Sequence, residues 1–301
     1  MDTLTIESLS RQFARIGARL AVDEKTPIAE AYTLDVRSAA GRHSKGSKGE
    51  TFVLRVREDV RESQDLLTLD VRAGQRHLLL FARPLARGEA SGVREVTVPT
   101  TRFLCGHDER HWFVAAVGGG VSSVPDAMEG LQPRGVAALQ PRGGAALQPR
   151  GVAALQQRLG VRGKDRNRRK NPAFLRQGEW FFLPQPGWQP PSAALTVLRN
   201  EAIRRGDGSK PHLVEELYRD GGELVYVCPR HPNGVTPAQQ AKILARDPAA
   251  RAWGWQPLRR NMQVFARGRV RHADHATITL PCWHRVLMNG EELSRNVAFL
   301  D

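Results

Sequence analysis

Apolar residues in the first half of the chain change their spacing near residue 30. Leu9, Phe13, Ile16 and Leu20 recur at intervals of four, three and four, which predicts a helix over residues 5–20. Beyond it, apolar residues alternate with polar ones or form short β-branched runs, and polar or glycine-rich stretches separate these runs. This pattern predicts strands at residues 31–37, 51–57, 66–72 and 77–81.

The second half of the chain mixes the same two patterns. Short apolar runs predict strands at 179–183, 194–199 and 223–228. Ser123 followed by an early proline predicts a helix over 123–131, and Thr236-Pro-Ala-Gln239 offers a capping hydroxyl, a proline at the first helical position and the glutamine of a capping box. The fold class that follows is α+β, with mainly antiparallel strands and a few helices.

A repeat of eight residues interrupts this pattern in the middle of the chain. Leu-Gln-Pro-Arg-Gly-Val/Gly-Ala-Ala occurs three times over residues 131–154 and decays at Leu155-Gln-Gln-Arg158. Each unit places proline and glycine two residues apart, where they interrupt helices and strands alike. We therefore predict two α+β lobes, residues 1–117 and 171–301, joined by a flexible low-complexity linker over 118–170; one domain with this segment inserted in a loop is the alternative.

The net charge of +14 is concentrated in two places. Residues 118–170 hold ten Lys/Arg against three Asp/Glu, and residues 259–285 hold six Arg against one Asp. Concentrated positive charge attracts polyanions and points to sequence-independent binding of nucleic acid. The residues predicted to contact phosphates are Arg162, Lys164, Arg166, Arg168, Arg169, Lys170, Arg267, Arg269, Arg271 and Arg285.

The first cluster of histidines lies between two apolar runs. His107, Asp108 and His111 resemble the His-Glu-x-x-His motif of zincins with Asp in place of Glu, which implies a zinc ion held by the two histidines and a water polarised by Asp108. The flanking runs at 103–105 and 112–117 instead predict a hairpin with its turn at 106–110. Since a turn does not impose helical spacing, we expect a polar hairpin loop here.

The second cluster contains His272 and Asp274, which would share one face of a strand. With a distant histidine, His-x-Asp resembles the facial triad of non-haem iron oxygenases. A tight turn about Pro281 and Cys282 is expected, and it would place His284 about 15 Å from Asp274 along the strand. A third ligand would therefore have to come from elsewhere, such as His107 or His231, and a phosphate-contacting or purely structural hairpin is the competing interpretation.

Several classes of protein are excluded or disfavoured at this stage. No apolar run reaches the roughly 18–20 residues that a membrane helix needs, so we expect no membrane association. Three scattered cysteines do not make a disulfide framework, and together with an N-terminus that lacks a secretory signal they predict a cytoplasmic protein. Phosphate-binding loops and the hydrolase and kinase signatures are missing from the sequence, and no motif is complete enough to assign a family.

Two functions remain as hypotheses. The first is a nucleic-acid-binding protein whose partner is nucleic acid. The second is a metal-dependent hydrolase or nuclease that uses His107, Asp108 and His111, or His272 and Asp274, as catalytic residues, with a divalent metal as its cofactor. The sequence assigns no set of metal ligands, and it leaves open whether the protein is an enzyme and whether it forms oligomers.

Overall fold

The computed structural model describes residues 3–38, 49–60, 64–84, 100–133, 151–191, 197–204 and 210–289. These residues form four helices and seventeen strands, which are antiparallel except for one parallel pair. The predicted α+β class, rich in antiparallel strands, is confirmed. No helix among the described residues is long and apolar enough to cross a membrane.

The N-terminal half contains one helix and two sheets. Helix α1 is Thr3–Arg15. The first sheet has the order β1-β3-β2 and the second has the order β4-β5-β6-β7. Their strands are β1 (Leu20–Val22), β2 (Tyr32–Ser38), β3 (Glu50–Val56), β4 (Gln64–Arg72), β5 (His77–Pro84), β6 (Thr101–Asp108) and β7 (His111–Val117).

Helix α1 is shorter at its C-terminal end than the apolar spacing predicts. The chain turns at Gly17, whose φ of +80° is in the left-handed region that glycine adopts without strain. The amides of Gly17 and Ala18 there donate to the carbonyls of Ala14 and Phe13. Leu20 therefore enters β1 and reaches the same core from a strand.

The two N-terminal sheets share a single core with α1. Phe52 of β3 contacts Phe13 of α1 and Trp112 of β7, with ring centroids 5.0 and 5.5 Å apart. The opposite face of the four-stranded sheet is covered by α2 (Val124–Gly130), whose Val124 and Ala127 are fully buried. Burying both faces of this sheet fixes the hairpin of β6 and β7 firmly in the fold.

The C-terminal half is built around a sheet of seven strands with the order β11-β12-β16-β17-β10-β9-β8. A smaller sheet has the order β14-β13-β15. The strands are β8 (Lys170–Asn171), β9 (Phe174–Gln177), β10 (Trp180–Pro184), β11 (Leu198–Ile203), β12 (His212–Asp220), β13 (Glu223–Cys228), β14 (His231–Val235), β15 (Gln256–Arg260), β16 (Gln263–Arg271) and β17 (Ile278–Met288).

Helix α4 (Pro237–Arg246) packs beside the smaller sheet and begins as the sequence predicts. The Thr236 hydroxyl accepts from the Gln239 amide, and the Gln239 side chain accepts from the Thr236 amide. The predicted capping box is therefore confirmed.

The expected turn about Pro281 and Cys282 is wrong. Both residues lie inside β17, which pairs with β16 on either side of them, from Ile278 to Leu280 and from His284 to Val286. The register shifts between Ala266 and Gly268, opposite Pro281, so the proline occupies a bulge where its missing N–H costs the sheet little. The hairpin is instead formed by β16 and β17, and its connection is the loop 272–277.

Two parts of the predicted linker lie in packed elements. Residues 118–133 include α2, and α3 (Gly151–Arg158) buries Val152 against Phe174 and Phe181 of the large sheet. Residues 134–150, which hold most of the repeat, lie outside the described residues. On either side of this segment, the Val152 amide donates to the Pro133 carbonyl at 3.1 Å. The division of the chain into two lobes and a linker stays a prediction.

Candidate metal centre

Three histidines meet where the loop 272–277 passes the start of β12. In the pairing of β12 with β16, Leu213 lies opposite Arg271, so His212 lies opposite His272. The loop then returns His275 to the same place. The ring centroid of His272 is 4.1 Å from that of His212 and 4.6 Å from that of His275.

His212 is the most buried member of this triad, with 1% of its surface exposed. Neither of its ring nitrogens has a hydrogen-bond partner among the described residues. Burial, together with the neighbouring His272 and His275, lowers the pKa of His212 to about 3. The imidazole is therefore neutral near pH 7 and keeps a lone pair, which is the form that binds metal ions.

Gly178 leaves the space into which two of these imidazoles point. A Cβ atom at Gly178 would lie 2.9 Å from Nε2 of His275 and 3.4 Å from Nε2 of His212. Gly178 has a φ of +57° in the turn between β9 and β10, so the position both favours glycine and needs the absence of a side chain. The two Nε2 atoms thus lie close to the same side of Gly178, where a side chain would crowd both of them.

His275 also has the support that metal-binding histidines usually have. Its Nδ1 atom lies 3.5 Å from Oε2 of Glu109, and the same oxygen accepts the Ala276 amide at 2.7 Å. A carboxylate next to Nδ1 favours the tautomer with its proton on that nitrogen and leaves Nε2 free to coordinate. Glu109 belongs to the turn between β6 and β7, so the N-terminal hairpin orients a C-terminal histidine.

His272 could coordinate a metal ion in this triad after its imidazole ring rotates. Its Nδ1 atom accepts the Asp274 amide at 3.1 Å, which places the proton of the neutral ring on Nε2. Burial and the neighbouring His275 lower the pKa of His272. Coordination requires the ring to rotate and give up that hydrogen bond, at a net cost of about 1 kcal/mol.

The spacing of the triad is close to that of a tetrahedral site. One ligand nitrogen from each ring lies within 4.8 Å of the others. Zinc at about 2.0–2.1 Å from each nitrogen would draw them to about 3.4 Å apart, which side-chain rotations supply. No other group of three His, Cys, Asp or Glu side chains in the described ranges has this spacing.

Asp274 faces away from the triad and joins a different set of charges. Its carboxylate accepts from Lys210 Nζ at 2.5 Å and lies 3.7 Å from Nε2 of His111. His111 Nδ1 is in turn 2.6 Å from Glu50. Burial raises the pKa of Asp274, but the Lys210 ammonium and other cations outweigh it and hold the pKa below its usual value.

The residues of the first histidine cluster have separate partners. The predicted hairpin is confirmed, with the strands reaching Asp108 and His111. His107 packs against the Trp112 ring with centroids 4.9 Å apart, whereas His111 contacts Glu50 and Asp274. Asp108 forms an ion pair with Arg169. His107 and His111 therefore do not converge as the resemblance to zincins implies.

The basic residues of 162–170 mostly contact acidic side chains. Arg162 and Arg168 both pair with Asp165, and Arg169 pairs with Asp108 and Glu109. Arg166 lies 4.0 Å from Glu129. Lys164 and Lys170 are exposed and make no ion pair with any described residue, so their positive charges remain available to bind phosphate.

The basic residues of the second group are also engaged. Arg267 pairs with Glu216 and Arg269 with Glu215, while Arg271 donates to the Asn200 side chain. Arg285 is buried, with 6% of its surface exposed. The first three of these arginines therefore contact side chains of β11 and β12, the neighbouring strands of the large sheet.

Comparisons with protein-family models, with curated proteins and with solved structures found no match to this chain. The triad therefore rests on the chain's own geometry. Sequence reasoning had singled out His272 but had missed His212, which begins a strand that was not predicted, and had given His275 no role. The apolar pairs Leu213-Val214 and Leu217-Tyr218 flank two glutamates without a regular alternation, so the sequence carries only a weak signal for that strand.

Proposed function

We propose that the protein is a metal-dependent hydrolase whose divalent ion, best matched by zinc, is held by His212, His272 and His275. The observation that carries this proposal is that two Nε2 atoms lie close to the same side of Gly178, one of them from a buried imidazole with no partner among the described residues. Burying a polar ring in this way costs free energy unless a ligand compensates it.

The type of ligand favours a catalytic ion over a structural one. Structural zinc sites are closed by four ligands and are rich in cysteine, whereas catalytic sites use three protein ligands and leave the fourth position to water. A zinc-bound water ionises near pH 7 and supplies the nucleophile for hydrolysis. Within the protein, the Glu109 carboxylate lies 3.5 Å from Nδ1 of His275, where it favours the coordinating tautomer without a hydrogen bond to the ring in this structure, and burial keeps His212 neutral.

The proposal is tested first by metal content. The full-length protein is purified without a metal-binding tag and analysed by mass spectrometry for zinc, iron, manganese and cobalt, and we expect about one ion per chain. His212→Asn and His275→Asn should lose that ion, while His111→Asn, which removes a nearby histidine outside the triad, should retain it. Added Zn²⁺ should raise the melting temperature of the metal-free parent, because a ligand of the native state stabilises it.

Hydrolysis is tested separately with p-nitrophenyl esters and with bis-p-nitrophenyl phosphate. Activity that follows metal content across the parent, the two triad variants and His111→Asn supports the full proposal. If the protein contains one metal ion per chain but hydrolyses none of these esters, it is a metal-binding protein and the proposed hydrolase activity is overturned. A metal-free protein whose melting ignores Zn²⁺ would overturn the whole.

The hypothesis of nucleic-acid binding through Arg162–Lys170 and the arginines near 267–285 stays a prediction. The ion pairs described above reduce the charge that these residues offer to phosphates. A cytoplasmic location is also part of this proposal, and it rests on the small number of cysteines.

A further inference from the structure

Four side chains form a stacked surface beside the small sheet, between residues 230 and 255. The rings of Trp253 and Trp255 lie 5.9 Å apart at an angle of 30°, and the His231 ring lies 6.0 and 5.5 Å from them at 28° and 13°. The Arg230 guanidinium lies 4.4 Å above the Trp253 ring. We call Arg230, His231, Trp253 and Trp255 the aromatic platform.

The platform is held rigidly from below. Trp255 Nε1 donates to the Ala250 carbonyl at 2.8 Å, and the Trp253 amide donates to the same carbonyl at 3.2 Å. Ala250 itself is fully buried. The three rings nevertheless remain partly exposed, and Arg230, which lies over the Trp253 ring, is exposed, so part of the platform is accessible from solvent.

The surroundings of the platform are positively charged. Residues 221–260 contain six Lys/Arg against two Asp/Glu, a net of +4. Arg230, Lys242, Arg246 and Arg251 are exposed and make no ion pair with any residue that the structure describes. Of the two acids, Glu223 pairs with Arg260, and Asp247 accepts the Ala249 amide.

We propose that the aromatic platform binds single-stranded nucleic acid, with bases stacked on Trp253, Trp255 and His231 and phosphates held by Arg230 and Arg251. Aromatic rings beside cations are what sequence-independent single-strand binding needs, since every base has a face that can stack and every nucleotide carries a phosphate. A duplex hides its base faces, so it should bind the platform poorly. The site is independent of the metal centre and of the hydrolytic function proposed above.

The test uses the full-length protein and a fluorescein-labelled oligothymidylate of about 15 nucleotides, which is within the range of known site sizes. Binding is followed by fluorescence anisotropy, with a duplex of equal length in parallel. Trp253→Ala should weaken binding about tenfold or more, and Trp253→Phe should restore part of it, because a smaller ring still stacks. Arg204→Ser, which removes an exposed arginine elsewhere, is the matched control and should bind as the parent does.

The phosphate contacts are tested by salt dependence between about 50 and 200 mM. Replacing Arg230 and Arg251 together by Ser should reduce the magnitude of the log-log slope by about 1.4, since each contact to a single strand contributes about 0.7. Circular dichroism and melting of each variant show whether it is folded. If Trp253→Ala unfolds the protein, Trp253→Phe and the double arginine variant still decide the question.

Three results would overturn the inference. The first is a parent protein that does not bind the oligonucleotide at low salt, and the second is equal binding by the parent and by folded Trp253→Ala and double-arginine variants. The third is a platform that binds an oligosaccharide or a proline-rich peptide in place of the oligonucleotide. Treatment with EDTA should leave oligonucleotide binding unchanged, so this result and the outcome for the metal centre are read independently.

Discussion

His111 Nε2 lies 3.7 Å from the Asp274 carboxylate, although 163 positions separate the two residues in the sequence. In the turn that directly precedes His111, Arg110 donates to the Ala273 carbonyl, and the Glu109 carboxylate accepts from the Ala276 amide. The two histidine clusters that the sequence presents as unrelated are thus in contact. The N-terminal hairpin turn acts as the outer support of the loop that carries two of the three histidines of the candidate metal centre.

Gly178→Ala should abolish metal binding without a change in any ligand. The added methyl group would crowd Nε2 of His212 and Nε2 of His275, which both lie close to that position. The measurement is zinc content together with the zinc-induced shift in melting temperature.

Gly187→Ala is the control for backbone strain. Gly187 also has a positive φ, +77°, but a Cβ there would have no neighbour within 4 Å among the described residues. Both variants should lose about 1–2 kcal/mol of stability from the left-handed backbone, while only Gly178→Ala loses the metal. Normal zinc binding by a folded Gly178→Ala protein would show that the ion is not held there.

Glu109→Gln should lower zinc affinity by about 10- to 100-fold, the usual effect of losing a carboxylate behind a coordinating histidine. The amide keeps its size and can still accept the Ala276 N–H, but it no longer favours a proton on His275 Nδ1. Competition with a chromophoric chelator measures the affinity.

Asp108→Asn is the matched control, because Asp108 shares Arg169 with Glu109 and has no contact with His275 in the structure. It should leave zinc affinity within about threefold of the parent. Equal losses in both variants would assign the effect to the shared arginine.

Asp70→Asn should detach the start of α2. The Asp70 carboxylate accepts the Val124 amide at 2.9 Å and Arg72 Nε at 3.0 Å, and loss of such a cap costs about 1 kcal/mol. Burial raises the pKa of Asp70, but these two donors outweigh it and leave the pKa below its ordinary value of 3.8. The stabilisation is therefore complete above pH 3.8 and is lost as the pH falls through the lower pKa of the folded state.

Urea denaturation from pH 7 to the lowest pH at which the parent folds measures this effect. The difference in free energy of unfolding between parent and Asp70→Asn should be constant down to about pH 5 and should shrink below about pH 4. Asp220→Asn, at an exposed position, should change stability by less than about 0.5 kcal/mol throughout. A difference that grows in acid would contradict the assignment.

Replacing Lys164 and Lys170 by Ser tests nucleic-acid binding by the basic segment 162–170 without disturbing its ion pairs. If duplex DNA binds there, the magnitude of its log-log salt slope should fall by about 2. Arg169→Ser is unsuitable as a first test, since it removes a partner of Asp108 and Glu109. An unchanged slope and affinity would exclude the two lysines from the interface.

Deleting residues 134–149 should leave the melting temperature unchanged or slightly higher. The deletion removes two repeat lengths and joins Pro133 to Arg150, which restores an intact Leu-Gln-Pro-Arg-Gly-Val-Ala-Ala unit. Pro133 and Val152 would then be the first and last residues of a four-residue turn, closed by the hydrogen bond that they already form. Gly151 would be the third residue of that turn. Its φ of +86° is the value that a type II turn requires there, which favours glycine. A fall of several degrees on calorimetry would mean that the deleted residues pack on the fold.

Local signals in the sequence predicted the elements that they control. Ser123 and Thr236 cap their helices as expected, and the apolar runs around residue 109 form the predicted hairpin. Each of these features is decided by residues within a few positions of one another, so a linear pattern contains the needed information.

The features that failed to be predicted depend on long-range pairing. Pro281 suggested a turn because nothing local shows that it lies in a bulge of β17, opposite Arg267 of the partner strand. His212 joins His272 only because β12 pairs with β16 in one particular register, and no spacing between residues 212 and 272 encodes that register. A candidate metal site assembled from one strand and a loop is therefore hidden until the sheet is known.

The hydrogen bond between Pro133 and Val152 has a consequence for how this chain can vary in length. Because the two flanks of the repeat already meet, copies of the octapeptide can be gained or lost between them with no change in the distance that the chain must bridge. Versions of this chain with more or fewer copies of the octapeptide should therefore have the same fold and nearly the same stability. The same junction is where a fluorescent reporter or a protease site can be inserted into the protein while the metal centre and the aromatic platform stay intact.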